Sequence, residues 1–150
     1  MTAIDTTKIV HDSTLWIRDK VGTITDPMSG KRVTNSTFVM TTFPDRPVTY
    51  PVITVKCRLG ADRPAGIATE ARFVALIFEI TIWSKSVKER DTLSDSVYDK
   101  LRTVTHDSDG SAASGLYDFR VSDAFDIDEE GAAGLHRKVI KGNYRVIAGG

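Results

Sequence analysis

The sequence predicts an α+β fold, a mainly antiparallel sheet of about four to five strands with two helices packed on one face. Three observations predict it. Two alternating apolar segments, Val52–Leu59 and Phe73–Trp83, are separated by a turn region marked by Gly60, Pro64 and Gly66, the pattern of an antiparallel hairpin. A capped amphipathic helix follows the second segment directly. Finally, helices and strands come in irregular order, without the regular strand–helix alternation of a parallel sheet.

The first element reads as a helix from about Thr2 to Val21. Thr2 stands three residues before Asp5 as a loose capping box, and Gly22 suits a stop. Ile9, Val10, Trp16, Ile17 and Val21 share one side of the wheel, while Leu15 lies on the other, where it can touch something outside its own core. From about 23 to 51 the chain is punctuated by Asp26-Pro27, Ser29-Gly30, Pro44, Pro47 and Pro51, and reads as a long arm with a short strand near Thr37–Thr42. Loops of that length in a compact domain tend to be functional.

In the Val52–Leu59 strand, Ile53, Val55, Cys57 and Leu59 point one way and Thr54, Lys56 and Arg58 the other. The Phe73–Trp83 strand is greasy on both sides. Its even residues, Val74, Leu76, Phe78, Ile80 and Ile82, form an unbroken core face, and its odd residues, from Phe73 through Ile77 to Trp83, are mostly apolar but broken by Glu79 and Thr81. The even face needs a core and the odd face needs at least a partial cover. Ser86-Val-Lys-Glu89 is a clean capping box for the second helix. There Val87, Leu93, Val97, Tyr98, Leu101 and Val104 share a side opposite Lys88, Asp95, Asp99 and Arg102. Two further strands are expected, Leu116 to about Val121 and Leu135–Ile147, the latter with Ile140, Gly142, Tyr144 and Val146 on one face. Asp123–Gly134 between them reads as an acidic, alanine- and glycine-rich loop.

A chain of 150 residues is expected to form one domain, 1–150, with a core large enough to need no disulfide or metal staple. The lone cysteine, Cys57, reads as a buried thiol. Asp5, Lys8, His11 and Asp12 break any apolar N-terminal leader, and no window approaches a membrane span, so no membrane partner is expected. Twenty basic and twenty acidic residues balance, which removes a global field toward nucleic acid.

Catalytic and cofactor signatures are missing. His11, His106 and His136 lack ligand spacing, and no metal, phosphate-loop or nucleophile-elbow motif occurs; no catalytic residue and no cofactor is expected. The clusters Asp107-Ser-Asp-Gly110 and Asp126-Ile-Asp-Glu-Glu130 do not complete a calcium loop and read as solvated turns, with a weak divalent site as the alternative. A local charge contrast stands out more. Asp126, Asp128, Glu129 and Glu130 precede a strand bearing Arg137, Lys138, Lys141 and Arg145. Two readings are open: an ordinary charged surface, or complementary edges that set the register between subunits. A third use, a basic strand facing nucleic acid, lacks clustered stacking aromatics.

The block TYPVITVKCRL, a long turn, RFVALIFEITIWSKS and then VKERDTLSDSVYDKLRTV, closing with the basic run Leu135-His-Arg-Lys-Val-Ile140, resembles the tail terminator (tail completion) proteins of long-tailed phages and related gene-transfer particles. The resemblance covers most clearly Thr49–Val104 and Leu135–Ile147, and it rests on apolar patterns rather than invariant residues. It implies a structural virion protein, not an enzyme. Such a protein is a homo-oligomeric ring, commonly six-fold, that caps the tail tube at the head–tail junction after assembly in the host cytoplasm. The implied partners are further copies of the chain, the tail tube protein and a head-completion or neck protein, with DNA passing through the lumen. The odd-face residues Phe73, Ile77 and Trp83, with Leu15, become candidate contacts to a neighbour or to the tube; the arm folded back over that face is the other reading. Another neck or tube component, a small α+β nucleic-acid-binding domain and a small enzyme are the competing functions.

Overall fold

A computed structural model describes residues 7–32, 37–42, 48–64, 66, 71–104, 115–128 and 134–148. The elements run α1 (Ile9–Val21), β1 (Val39–Met40), β2 (Val52–Pro64), β3 (Arg72–Ser84), α2 (Val87–Thr103), β4 (Tyr117–Asp128) and β5 (His136–Ala148). They form a five-stranded sheet in the order β1-β2-β3-β5-β4. All neighbours are antiparallel except the two-residue β1, which lies parallel to β2. The α+β expectation is met, and the two helices share one face of the sheet.

Alternation decides which face. Val74, Leu76, Phe78, Ile80 and Ile82 of β3 are buried together with Ile53, Val55 and Cys57 of β2 and Ile140, Tyr144 and Val146 of β5. Trp16, Ile17 and Val21 from α1 and Leu93, Val97 and Leu101 from α2 close over them. An aromatic stack lies at the centre: Phe78 and Phe119 are 4.9 Å apart and nearly parallel, flanked by Tyr144 and, edge-on, by Trp16. Ile24, Phe38 and Val39 pack against the same cluster, so these residues of the arm seal the helix side of the sheet.

The cap of α2 forms as its sequence demands, with one variation. The Glu89 N–H donates to Ser86 Oγ at 3.3 Å. The Glu89 carboxylate accepts from Ser84 Oγ at 2.8 Å, and Ser84 Oγ accepts the Ser86 N–H at 3.1 Å. The reciprocal half of the capping box therefore runs through a third residue.

Several expectations change. The helix expected from Thr2 begins at Ile9, and the Thr2–Asp5 capping box lies outside the described residues. Val10, Val87 and Tyr98 are exposed, because each sits at the margin of its helix's apolar stripe, beyond the reach of the sheet. Leu59 is exposed because β2 runs five residues past it, beyond the helices. The largest change is at β4, which continues through Asp123–Asp128 where a loop is expected. In that segment Phe125 and Ile127 alternate with Asp126 and Asp128, a strand pattern beneath an acidic composition.

Burial pushes the Cys57 thiol above its ordinary pKa, and it does the same to the adjacent Tyr144 phenol, with Cys57 adding to the effect. Both groups are neutral when protonated, so the folded chain holds these protons more tightly than the unfolded chain. Their contribution is complete below the unfolded pKa values and is lost as pH rises above them. The urea midpoint is expected to stay flat up to about pH 8 and to fall above roughly pH 8.5–9, with Tyr144→Phe flattening part of that slope.

Candidate functional site

The face of β3 turned away from the helices is the candidate site. Cross-strand register lays it out in rows. At one end Val52, Trp83, Arg137 and Ile127 share a row, and Thr54, Thr81, Val139 and Phe125 share the next. In the middle lies a charged row, Lys56, Glu79, Lys141 and Asp123. At the other end Arg63, Phe73 and Ile147 stand in line.

The two ends differ. Near Trp83 the face covers itself: the indole N–H donates to Thr54 Oγ1 at 3.2 Å, the Arg137 guanidinium lies 4.9 Å from the indole centroid, and Val139 is buried. Lys141 likewise lies over Phe125 at 5.4 Å while its ammonium is 3.4 Å from the Glu79 carboxylate. At the far end Phe73 (39% exposed), Tyr117 (45%) and Ile147 (49%) open to solvent. Tyr117 faces outward because the β4–β5 register shifts between Tyr117 and Arg120, where Asp118 takes a positive φ of 55°.

Of the residues singled out from the sequence, Phe73, Ile77 and Trp83 do lie on one face. Phe73 and Trp83 are nevertheless ten residues apart, about 33 Å along the strand, so they belong to different ends of it. Ile77 is half-buried between them. Leu15 is half-buried on α1, on the opposite side of the sheet. Tyr117 and Ile147 are the residues missed, and register is what reveals them.

The charged residues divide in the same way. Asp126 and Lys138 pair across β4 and β5 on the helix side, where the Lys138 ammonium is 3.6 Å from Asp126 and 3.6 Å from Asp91. The buried Arg90 guanidinium completes this cluster at 3.1 Å from Asp91 and 3.5 Å from Asp126, and holds the Asp91 carboxyl below its ordinary pKa. Arg137, Lys141 and Arg145 fall on the open face, Arg145 lying 3.8 Å from Asp118. The loop expected to carry the acidic edge is thus a strand, and Asp126 meets Lys138 within one chain. Asp128 pairs with His136 in the backbone register, and Glu129 and Glu130 lie outside the described residues. The Asp107–Gly110 cluster lies outside them too. Among the described residues no three carboxylate, histidine or cysteine side chains gather as metal ligands, and no helix is long and apolar enough to cross a membrane.

No family model matches the chain, and no curated protein matches it. Among solved structures it is similar to a chain of the virion of a native gene transfer agent particle, with a TM-score of 0.57 and 15% identity over 88% of this chain and 92% of that one. At that identity the shared property is the fold: a helix-covered antiparallel sheet of this kind occurs in a chain of a gene transfer agent virion.

Proposed function

We propose that this protein is a structural component of a phage-like virion, a tail terminator whose copies close into a ring, six-fold in the simplest case, that caps the tail tube and joins it to the head. The observation that carries the reading is the asymmetry of the sheet: helices seal one face, and the other ends in exposed Phe73, Tyr117 and Ile147. A lone copy leaves that apolar area in water, whereas an assembled particle has surfaces to bury it. The fold shared with a gene transfer agent virion chain supports the same class. The partners on this reading are further copies of the chain, the tube protein and a neck protein. Arg137, Lys138, Lys141 and Arg145 each have an aromatic ring or a carboxylate of the same chain close by, which weakens the case for a nucleic-acid-binding strand.

Light scattering with negative-stain imaging tests the reading. Six chains of 16.5 kDa give a ring of about 99 kDa. Phe73→Asp is expected to keep the fold, changing stability by no more than about 1 kcal/mol at this exposed site, while reducing ring formation or tail joining. Phe73→Asp protein that matches wild type in both ring formation and tail joining would exclude Phe73 from the interface, and a wild-type protein that neither forms rings nor binds tail tubes would exclude the terminator assignment.

A further inference from the structure

We propose that successive copies join edge to edge, the outer edge of β2 in one copy pairing antiparallel with the outer edge of β4 in the next, so that Lys56 meets Asp123 of the next copy. This rests on the ring reading and specifies the contact between copies; Phe73 and Ile147, on the interior strands β3 and β5, are left open for the tail tube or neck protein.

Both edges are open among the described residues. β1 pairs only with Ile53 and Thr54. Thr41 and Thr42, which follow it as a bend, line one hollow with Val55, Lys56, Glu79 and Thr81 but carry no strand pairing. Among the described residues β2 therefore has no strand on its outer side beyond Thr54, and β4 pairs with β5 alone. An open strand edge is a row of unpaired N–H and C=O groups ready to accept another strand.

Charge selects which edge meets which. The row Lys56, Glu79, Lys141, Asp123 crosses four strands with alternating sign. Its interior pair is made, with Lys141 at 3.4 Å from Glu79. Its ends are exposed and have no ion-pair partner among the described residues; the Asp123 carboxylate accepts the N–H of the adjacent Ala124 at 2.8 Å. A second sheet set beside the first continues the alternation. Two β4 edges would bring aspartates together, and two β2 edges would bring Lys56 and Arg58 together, so like edges repel. Opposite charges across a strand pair attract. The favoured contact is therefore head-to-tail, which is what a closed ring requires.

Strand direction agrees. β2–β3, β3–β5 and β5–β4 are each antiparallel, so β4 runs opposite to β2. Rotation about an axis roughly along the strands preserves these directions from copy to copy. The new pair is then antiparallel and brings the ends of the charged row level with one another.

The test is a charge swap read by light scattering over a concentration series, using Lys56→Glu, Asp123→Lys and the double variant, each checked for folding by circular dichroism. Each single reversal is expected to weaken association about tenfold, and the double variant to restore it. As a second measurement, a mixture of Lys56→Cys and Asp123→Cys proteins is expected to form a disulfide-linked pair under mild oxidation that neither forms alone; the native Cys57 is buried. Rings unchanged by the single reversals, together with no cross-link, overturn the edge contact and leave the ring standing. Wild-type protein that stays monomeric at every concentration and forms no ring on added tail tubes, with no cross-link, overturns both.

Discussion

Gly142→Ala is expected to destabilise the protein by about 3 kcal/mol, lowering the melting temperature by roughly 10 °C. Gly142 sits on β5 between Phe78 of β3 and Val121 of β4. A Cβ added there would run into the Phe78 ring and into the backbone carbonyl of Arg120. The ring cannot step aside cheaply, because it is stacked 4.9 Å from Phe119 and flanked by Tyr144 in the fully packed core. Nor can the carbonyl, because Arg120 belongs to the neighbouring strand. Phe78 thus fills the gap that the glycine leaves, an aromatic lying over a glycine on the adjacent strand. Phe78→Ala alone is expected to cost about 3–5 kcal/mol through its cavity. In the double variant the new methyl enters that cavity, so the loss should be smaller than the sum of the two single losses. Urea denaturation of all four proteins measures the coupling, and strict additivity would show that the ring and the glycine do not share this space.

Arg32→Ala is expected to cost about 3 kcal/mol, the second large effect. Its guanidinium is nearly buried and acts as a clasp between the two ends of the arm. It makes a forked pair with Asp26 at 2.9 and 2.8 Å, and donates to the carbonyl oxygens of Thr49 and, at 2.7 Å, Pro51. The Phe38 ring lies 5.0 Å from the same guanidinium. Truncation leaves a partly buried carboxylate and two carbonyls without these donors. Arg32→Lys keeps the charge but not the planar fork, so it should recover only a small part of the loss. Hydrogen bonding from Arg32 holds the Asp26 carboxyl below its ordinary pKa. That contribution is present above the unfolded value and is lost as pH falls through the lower folded value. The stability gap between wild type and Arg32→Ala should therefore be full at pH 7 and narrow below about pH 4. A gap that stays constant into strong acid would show that the clasp does not depend on the carboxylate.

Arg32 also illustrates what a local reading misses. Between Asp26 and Pro51 the sequence offers turn residues and prolines, and it reads as an arm with little to hold it. The clasp joins residues 17 and 19 positions apart, beyond the reach of any periodicity argument. Arg90 is a similar case: on the wheel it is one more cation in a charged helix, yet it is buried between Asp91 and Asp126 because β4 happens to end there. The acidic stretch at Asp123–Asp128 was legible in part. Its alternation of Phe125 and Ile127 with aspartates is a strand signal, overshadowed by a composition that also suits a loop.

Short-range pattern in the chain sets the secondary elements with strong period, namely β2, β3, β5 and α2 with its Ser86 cap, and the inward face of each. These are properties of neighbouring residues, fixed by the two- and 3.6-residue repeats and by a side chain three positions from an N–H. Long-range pairing in the folded chain is what inserts β5 between β3 and β4, turns Asp126 to Lys138 of its own chain, and gives Phe73 the same end of the sheet as Ile147 while Trp83 lies under Arg137. Strand order and register join residues far apart in the chain, and it is they that leave Lys56 at one edge of the sheet and Asp123 at the other.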